Sequence, residues 1–296
     1  FGISEWTPDK KIEQTYNEAN IARHEVKHRK DINHAFFSQE DATRILREKQ
    51  MEDAFESSIR DHQFEIWYQP KYNPGNNELV GAEALVRWRD RKGELVSPGL
   101  FIPLFERNGM IRYLDEYVFR NVCEQQKKWM DEGRAMFPIS VNLSRASLYF
   151  QSVVERYKKI TGEIGIDPKF VPIEITETAA VDNKAIDQLA DRFCTAGFPL
   201  HIDDFGAGYS SFAALNTMHF DTLKIDKSLI DYIGNYGGDR LLEHTIALAK
   251  DLGMHVTAEG VETDEQVSFL QKLNCDSIQG FYYSRPLPLE EFEKIR

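Results

Sequence analysis

Eight short apolar segments, separated mostly by longer amphipathic segments, constrain the fold of this chain more than any other feature. They lie between residues 64 and 281, and helical periodicity recurs between most of them. Alternation of strands with helices is typical of a mostly parallel sheet, and eight such strands favour a closed barrel. The predicted strands are 64–69, 79–88, 137–143, 171–176, 198–203, 222–226, 254–259 and 275–281.

One connection does not suit a fully parallel barrel. The first two predicted strands are joined by Asn73-Pro74-Gly75-Asn76-Asn77, which is rich in turn residues and too short for a crossover helix. We therefore predict an α/β fold, a TIM-like (β/α)8 barrel with one antiparallel strand, preceded by a helical segment.

The predicted helices are 41–62, 114–131, 183–196, 239–252 and 263–273, with a weaker helical period at 11–29.

Charge and cysteine usage narrow the class of protein. The formal net charge of −12 argues against binding of a nucleic-acid polymer, although a small anionic ligand is not excluded. Three cysteines without a Cys-x-x-Cys motif are typical of a reduced, cytoplasmic protein.

No apolar run in the sequence approaches the ~20 residues that span a bilayer. We predict no membrane contact by this segment, while the opening Phe1-Gly2-Ile3 indicates a piece of a longer parent whose anchoring stays open.

Polar side chains stand at the end of nearly every predicted strand. In a barrel of this type the carboxyl ends of the strands form one mouth, where catalytic residues lie. Side chains that are far apart in the sequence should therefore converge there. These residues are Gln69, Glu83, Asn142, Glu174, Asp203 with Asp204, Lys224 with Asp226, Glu259 and Gln279.

So many acids in one mouth need compensation. Two carboxylates 4 Å apart repel by ~4 kcal/mol at an effective dielectric constant near 20, so either several are protonated or cations lie among them. Carboxylate and amide oxygens suit Mg²⁺ or Mn²⁺ rather than zinc. The consecutive Asp203 and Asp204 can serve two metals, the arrangement used for in-line attack on a phosphodiester. Each residue alone has an ordinary structural explanation, but those explanations would have to hold at successive strand ends.

These residues lie in motifs that resemble one family. Glu83-Ala84-Leu85-Val86-Arg87 resembles the Glu-x-Leu-x-Arg signature of EAL domains. A single Glu-Ala-Leu tripeptide is not specific, but seven motifs in the family order over about 64–290 are. The other motifs are Val141-Asn142-Leu143-Ser144, Glu174-Ile175-Thr176-Glu177, the run from Asp203 to Ser211, Leu223-Lys224-Ile225-Asp226, Ala258-Glu259-Gly260-Val261-Glu262 and Gln279-Gly280-Phe281.

The resemblance implies an activity and a metal centre. EAL domains hydrolyse one phosphodiester bond of c-di-GMP to linear pGpG with Mg²⁺ or Mn²⁺, two ions per site, and commonly form homodimers through the barrel. By that resemblance Asp203 and Asp204 hold the second metal, and Glu259 is either its ligand or the general base. Lys224 orients the attacking water, which makes Glu83, Lys224 and Glu259 the catalytic set. The ligands implied for the first metal are Glu83, Asn142, Glu174 and Asp203.

The resemblance also implies substrate contacts. Arg87 would grip a phosphate, Leu85 would line the guanine site, and Glu177 would brace the loop 203–211. Further contacts to substrate or water are implied for Gln69, Asp226 and Gln279. His201 shares a strand face with Asp203, but a packed histidine is the more common explanation.

The amino-terminal residues carry a weaker resemblance. Residues 1–40 resemble the last part of a GGDEF domain through Phe1-Gly2-Ile3, the helix around 19–22 and the lysine at position 30. We predict that 41–62 is a connecting helix and that 63–296 is the EAL barrel; an unrelated helical linker is the alternative for the first segment. Three other functions stay open: an inactive c-di-GMP receptor, a partner-binding scaffold, and a different metal-dependent barrel enzyme.

Overall fold

The structure, a computed structural model, describes residues 1–28, 32–150, 152–180, 184–207 and 219–296. It contains two compact units, residues 1–62 with 99–104, and residues 63–98 with 105–296. Among the described residues, no helix has the length and apolar character needed to cross a bilayer. Cys123, Cys194 and Cys275 are all free thiols, and only Cys194 is exposed.

The first unit is built on two helices and a small sheet. Strands β1 (Gly2–Ile3) and β2 (Ala35–Phe36) pair in parallel, and helix α1 (Ile12–His28) packs against both. Helix α2 (Gln39–Arg60) begins after Ser38, whose hydroxyl accepts the backbone N–H groups of Glu40 and Asp41. Such a cap satisfies donors that have no partner within the helix, which explains where the helix begins.

The second unit contains the closed barrel that the sequence predicts. Its eight strands are hydrogen-bonded in the order β3, β11, β10, β9, β8, β7, β6, β4, and β4 returns to β3. The short strands β5 and β12 extend the sheet beside β4 and β3. The strands are β3 (Phe64–Tyr72), β4 (Leu79–Arg89), β5 (Leu95–Val96), β6 (Ile139–Asn142), β7 (Ile173–Thr176), β8 (Leu200–Phe205), β9 (Thr222–Ile225), β10 (His255–Glu259), β11 (Ser277–Gln279) and β12 (Leu287–Pro288).

The predicted antiparallel strand is β3, which runs opposite to both of its barrel neighbours. The turn that reverses the chain is closed by Asn73, whose backbone C=O accepts the N–H of Asn77 at 2.8 Å. Its side chain accepts the N–H of Gly75 at 2.7 Å. Asn77 has a φ of 58°, a left-handed conformation that asparagine tolerates better than most residues. The turn chemistry of this segment therefore sets the direction of β3.

The remaining helices alternate along the chain with the barrel strands, and several of them are not predicted from the sequence; residues 99–104 of the first one belong to the first unit. They are α3 (Pro98–Asn108), α4 (Ile111–Asp131), α5 (Arg145–Leu148), α6 (Val153–Ile164), a 3₁₀ turn (Pro168–Phe170), α7 (Glu177–Ala180), α8 (Lys184–Thr195), α9 (Lys227–Ile230), α10 (Tyr236–Asp251), α11 (Asp264–Lys272) and α12 (Leu289–Ile295). The unpredicted α6 starts with two valines and contains Gly162, which are weak helix formers. It is stabilised by packing, since Val153, Tyr157 and Ile160 are buried at helical spacing.

The apolar core lies between the barrel wall and the helices. Along the strands alternate residues point outward and are mostly apolar and buried; Val141, Ile173, Ile202 and Leu223, for example, are exposed by 1% or less. Burial of each such side chain contributes about 1.5–3 kcal/mol. The alternate, inward-pointing positions are mostly polar. The wall therefore supplies stability, and the interior is free to carry charged groups.

A partly buried hydrogen-bond cluster joins α4 to the end of β6. Asp115 Oδ2 accepts hydrogen bonds from the backbone N–H of Ser144 at 3.1 Å, from its hydroxyl at 2.6 Å, and from the Ser147 hydroxyl at 2.7 Å. Burial raises the pKa of Asp115 to about 6, although the hydrogen bonds from the two serines oppose that rise. Because Asn142 lies two residues before Ser144, this cluster fixes the corner that presents Asn142.

Replacing Asp115 with asparagine should change how stability depends on pH. A carboxyl group whose pKa is raised in the fold stabilises it most below its unfolded pKa, and that contribution is lost as pH rises towards about 6. The Asp115→Asn variant keeps an acceptor oxygen for the three donors and cannot ionise. Relative to wild type, its free energy of unfolding should therefore increase by roughly 1 kcal/mol between pH 5 and pH 7.5. Urea unfolding at both pH values measures this; a constant difference would contradict it.

Candidate active site

The ammonium group of Lys224 lies at the centre of the barrel interior and is fully buried. Its Nζ donates hydrogen bonds to Glu83 Oε2 at 3.3 Å and to Glu174 Oε2 at 2.6 Å. It also forms ion pairs with Asp203 Oδ1 at 2.9 Å and Glu259 Oε1 at 2.7 Å. Four carboxylates from four different strands thus converge on one cation, which confirms the convergence expected at the strand ends.

Charge explains why Lys224 stays protonated in this environment. Burial alone would lower the pKa of its ammonium group, but Asp203, Glu174, Glu259 and Glu83 together hold that pKa well above its usual value. Lys224 is therefore a permanent positive charge in the interior. It compensates part of the negative charge that the converging acids bring.

Glu83 is held by side chains from three other strands. Its Oε1 accepts a hydrogen bond from Asn142 Nδ2 at 2.7 Å, and its Oε2 accepts one from Gln279 Nε2 at 2.7 Å in addition to that from Lys224. Gln279 Nε2 also donates to Gln69 Oε1 at 3.0 Å. The predicted residues Gln69, Glu83, Asn142 and Gln279 therefore form one connected network at the mouth.

Glu174 is held from two sides, and one of its partners is not predicted from the sequence. Lys71 Nζ donates to Glu174 Oε1 at 2.9 Å and to the Ser140 hydroxyl at 2.8 Å. Burial alone would raise the pKa of Glu174, but Lys224 and Lys71 hold it well below its usual value. The sequence does contain a pattern that could have identified Lys71 as a site residue. Lys71 lies two residues after Gln69 and therefore shares its face of the strand.

The other acids of the site behave differently from Glu174. Burial, followed by the charge of neighbouring acids, raises the pKa of Glu83, and burial likewise raises the pKa values of Asp203 and Asp204. Burial raises the pKa of Glu259 to about 8, although Lys224 opposes that rise. Two lysines therefore do not compensate all of these carboxylates. The excess negative charge favours either protonation or a bound cation.

Asp203 and Asp204 both reach the mouth because β8 is irregular there. The register between β8 and β9 shifts between Ile202 and Phe205, and Asp204 has a φ of 56°. In a regular strand two consecutive side chains point to opposite faces, so a bulge is needed to bring both to one side. The pKa of Asp204 responds, after burial, to Lys224, Asp226 and Glu83, which places it in the same electrostatic environment.

The residues present fit a divalent metal ion. One carboxylate oxygen from each of Glu83, Glu174 and Asp203 lies within 4.8 Å of the others, and all three residues are buried. The amide of Asn142 adjoins Glu83, and Asp204 and Glu259 add further carboxylates. An all-oxygen donor set with excess negative charge is what hard cations such as Mg²⁺ prefer.

The residues predicted to contact substrate lie on the same face of β4 or near the mouth. The guanidinium of Arg87 lies over the Trp67 ring, 5.6 Å from its centroid, and Arg87 Nη1 donates to the backbone C=O of Val86 at 2.9 Å. Leu85 is the cross-strand neighbour of Trp67. Glu83, Leu85 and Arg87 alternate along β4 and therefore share one face, as the sequence predicts.

Two predicted residues have clear structural contacts at the edge of the site. Asp226 caps α9, because its carboxylate accepts the backbone N–H of Ser228 at 2.9 Å. Buried Glu177 accepts the N–H of Gly206 at 3.3 Å, which ties it to the beginning of the predicted loop 203–211. Residues 208–211 of that loop lie outside the described residues. His201 Nδ1 lies 3.5 Å from Glu174 Oε1, and burial lowers the pKa of this histidine.

Comparison with known proteins adds an independent result. A family model described as EAL domain matches residues 52–286. The chain is 37% identical over 299 residues to cyclic di-GMP phosphodiesterase NbdA of Pseudomonas aeruginosa, covering 99% of this chain and 38% of that protein. It is 32% identical over 275 residues to the bifunctional diguanylate cyclase/cyclic di-GMP phosphodiesterase MucR of the same organism, covering 92% and 40%. The chain thus spans well under half the length of these curated relatives.

A solved structure supports the same relationship. The PaMucR phosphodiesterase in complex with c-di-GMP is similar with a TM-score of 0.77 and 33% sequence identity. The similarity covers 82% of this chain and 99% of that one. The shared fold therefore includes the whole of that phosphodiesterase chain.

Proposed function

The chain belongs to the EAL domain family, and on that premise we propose that it hydrolyses one phosphodiester bond of c-di-GMP to give linear pGpG. The observation that carries this proposal is the convergence of Glu83, Glu174, Asp203 and Glu259 on one buried lysine at the mouth of the barrel. The charges of such a site suit a phosphodiester bound together with divalent cations. Relatives named as cyclic di-GMP phosphodiesterases support the choice of substrate.

The proposed cofactors are two Mg²⁺ or Mn²⁺ ions. Glu83, Asn142, Glu174 and Asp203 would hold one ion, and Asp203 and Asp204 would hold the other, with Glu259 either as a further ligand or as the general base. When bound, such ions supply a positive field for the phosphoryl oxygens and make a water molecule more acidic. The excess of carboxylates over ammonium groups in the site supports the binding of such cations. Most of these carboxylates have raised pKa values.

The protein's own groups have distinct parts in the proposed reaction. Water adds to phosphorus as hydroxide while its proton passes to a base, the P–O bond to the ribose oxygen breaks, and that oxygen takes up a proton from the same base or from solvent. Glu259 would either be a ligand of the second ion or accept the proton of the attacking water, since its Oε1 lies 2.7 Å from Lys224 Nζ within the acidic cluster. Lys224 keeps its charge and orients groups around it, so it adds electrostatic stabilisation without exchanging a proton.

Substrate binding is assigned to residues around the mouth. Arg87 would bind a phosphate, since a guanidinium offers several donors to phosphoryl oxygens, and Leu85 would line a guanine site. Gln69, Gln279 and Asp226 would contact substrate or ordered water. Glu177 would support the segment that begins at Gly206, where its hydrogen bond is observed.

One incubation tests the proposed function. With c-di-GMP and Mn²⁺, the protein should convert the cyclic dinucleotide to pGpG, as separated by anion-exchange chromatography. A chelator in excess should stop the conversion, and added Mn²⁺ or Mg²⁺ should restore it. Activity that persists in chelator would contradict the metal-dependent scheme.

Measurements of c-di-GMP binding, of signalling and of turnover of other phosphodiesters separate the alternatives. Tight binding of c-di-GMP without pGpG would indicate an inactive receptor, and signalling that survives removal of all the acids would indicate a scaffold. Turnover of another phosphodiester, with c-di-GMP left intact, would indicate a different metal-dependent barrel enzyme.

Further parts of the proposal concern the surroundings of the barrel. We propose that residues 1–40 are the carboxyl-terminal part of a GGDEF-like domain, 41–62 a connecting helix and 63–296 the catalytic barrel. The similarity to a bifunctional diguanylate cyclase/cyclic di-GMP phosphodiesterase, which covers 92% of this chain, supports the first assignment. Homodimerisation through the barrel and a cytoplasmic location remain predictions, and sedimentation of the purified chain would test the former.

A further inference from the structure

A second buried lysine, Lys71, lies beneath the acidic cluster. Its side chain is only 7% exposed, and that of its partner Glu174 is not exposed at all. The two lysines divide the carboxylate between them, because Lys71 contacts Oε1 at 2.9 Å and Lys224 contacts Oε2 at 2.6 Å. The Ser140 hydroxyl accepts a second hydrogen bond from Lys71 at 2.8 Å, which fixes the position of the ammonium group.

The reversed direction of β3 brings Lys71 to this position. Gln69 pairs with Glu83 across the sheet, and Lys71, two residues further on, pairs with Gly81. Gly81 precedes Glu83, so Lys71 lies nearer the amino-terminal ends of the parallel strands, away from the mouth. Gly81 has no side chain, and a Cβ atom there would come within 2.9 Å of the backbone oxygen of Pro138.

A cavity of about 510 Å³ opens at this amino-terminal end of the barrel. Its lining includes Pro138, Pro172 and Pro199, each just before a barrel strand, which identifies it as the floor of the barrel. Lys71 and His201 also line it, so the cavity reaches the layer directly below Glu174. Small solutes can therefore reach Lys71 without passing through the substrate mouth.

We propose that Lys71 is a positioning residue for Glu174: from the floor of the barrel it holds Oε1, so that Oε2 stays directed at the metal centre. This inference rests on the proposed function, in which Glu174 is a metal ligand. A carboxylate with no exposed surface needs a counter-charge and a hydrogen-bond donor for each of its oxygens. Without Lys71, Glu174 would engage Lys224 with both oxygens or take up a proton. Either change makes Oε2 a poorer ligand.

The first test removes the charge and keeps the bulk of the side chain. In the Lys71→Met variant, we expect Mn²⁺ to bind about tenfold more weakly, as is typical when the partner of a metal ligand is lost. The electron paramagnetic resonance signal of free aqueous Mn²⁺ gives the concentration of unbound ion, and so measures the Mn²⁺ affinity without relying on activity. The matched control is Lys169→Met, since Lys169 also lines the cavity but is exposed and pairs with Asp167 at 3.0 Å. Its Mn²⁺ affinity should not change.

The second test is chemical rescue through the floor cavity. The Lys71→Ala variant should regain Mn²⁺ binding and c-di-GMP hydrolysis when ethylammonium is added, because the cation can occupy the space of the missing side chain. Tetramethylammonium, which cannot donate a hydrogen bond to Glu174, should not restore either. Ethylammonium can be present throughout purification of Lys71→Ala. This variant therefore tests the positioning role even if Lys71→Met does not fold.

The outcomes distinguish this inference from the proposed function. Mn²⁺ binding by Lys71→Met that is as tight as in wild type, or tighter, would overturn the inference. Weakened Mn²⁺ binding by Lys71→Ala that ethylammonium does not restore would also overturn it. A wild-type protein that binds no Mn²⁺ or leaves c-di-GMP intact would instead overturn the proposed function. Weakened binding in Lys71→Met, normal binding in Lys169→Met and rescue specific to ethylammonium would establish the positioning role.

Discussion

Replacing Glu83 with alanine should reduce c-di-GMP hydrolysis by at least roughly 10³-fold, the scale on which a group that organises transition-state electrostatics acts. Glu83 accepts hydrogen bonds from Asn142, Lys224 and Gln279, so its loss removes a proposed metal ligand and releases three further groups of the site. Initial rates of pGpG formation at saturating Mn²⁺ measure the effect.

The fold should survive the Glu83→Ala substitution. Burial and neighbouring acids raise the pKa of Glu83, so removing its carboxyl group also removes an electrostatic cost from the interior. The outer face of β4, with the buried Ala82 and Ala84, is unchanged. Circular dichroism and thermal unfolding should therefore resemble wild type.

An exposed acid provides the matched control for Glu83. Glu163 lies on α6 and pairs with Arg120 and Lys159 at the surface, so Glu163→Ala should keep full activity. Glu83→Ala activity within tenfold of this control would contradict the assignment of Glu83 to the metal centre.

The second large effect is expected for Lys224→Met, and it concerns stability as well as activity. Lys224 is the common counter-charge of Glu83, Glu174, Asp203 and Glu259. Removing one partner of a buried ion pair typically costs 3–5 kcal/mol, because the other charge is left uncompensated. We therefore expect the metal-free variant to lose about 3–5 kcal/mol of unfolding free energy at pH 8, together with its activity.

Divalent cations should restore much of the stability that Lys224→Met loses. A bound Mn²⁺ compensates the same carboxylates, and any ligand that binds only the folded state stabilises it. The increase in unfolding free energy on adding Mn²⁺ should be larger in Lys224→Met than in wild type, whereas hydrolysis should remain lost. Urea unfolding with and without Mn²⁺ measures both quantities.

A surface lysine serves as the control for Lys224. Lys159 is 76% exposed and pairs only weakly with Glu163 at 3.6 Å, so Lys159→Met should be within about 0.5 kcal/mol of wild type. If Lys224→Met lost no more stability than Lys159→Met, the ammonium group would not be the counter-charge of the acidic cluster.

The interior of this barrel reverses the usual division between core and surface. The outward-facing residues of the strands, such as Val141 and Ile202, are buried under helices, whereas the inward-facing positions carry Glu83, Glu174 and Lys224. Charged groups are tolerated there because each is paired across strands. The fold thus separates stability from chemistry along the same backbone.

The sequence alone determined the barrel, its reversed strand and the acidic residues at the strand ends. Strand alternation and turn chemistry are local properties, so Glu83, Leu85 and Arg87 could be assigned to one face of β4, and the turn near Asn73 indicated the antiparallel β3. Seven ordered motifs added the family and its expected substrate. None of these inferences required knowledge of which strands are neighbours.

Only the tertiary structure decided how these groups pair. That Lys224 contacts four acids and that Lys71 reaches Glu174 from the floor follow from the register between strands. Register depends on closure of the whole barrel, in which each strand is aligned by its two neighbours. A lysine in β3 and a glutamate in β7 are 103 residues apart, and no local pattern links them.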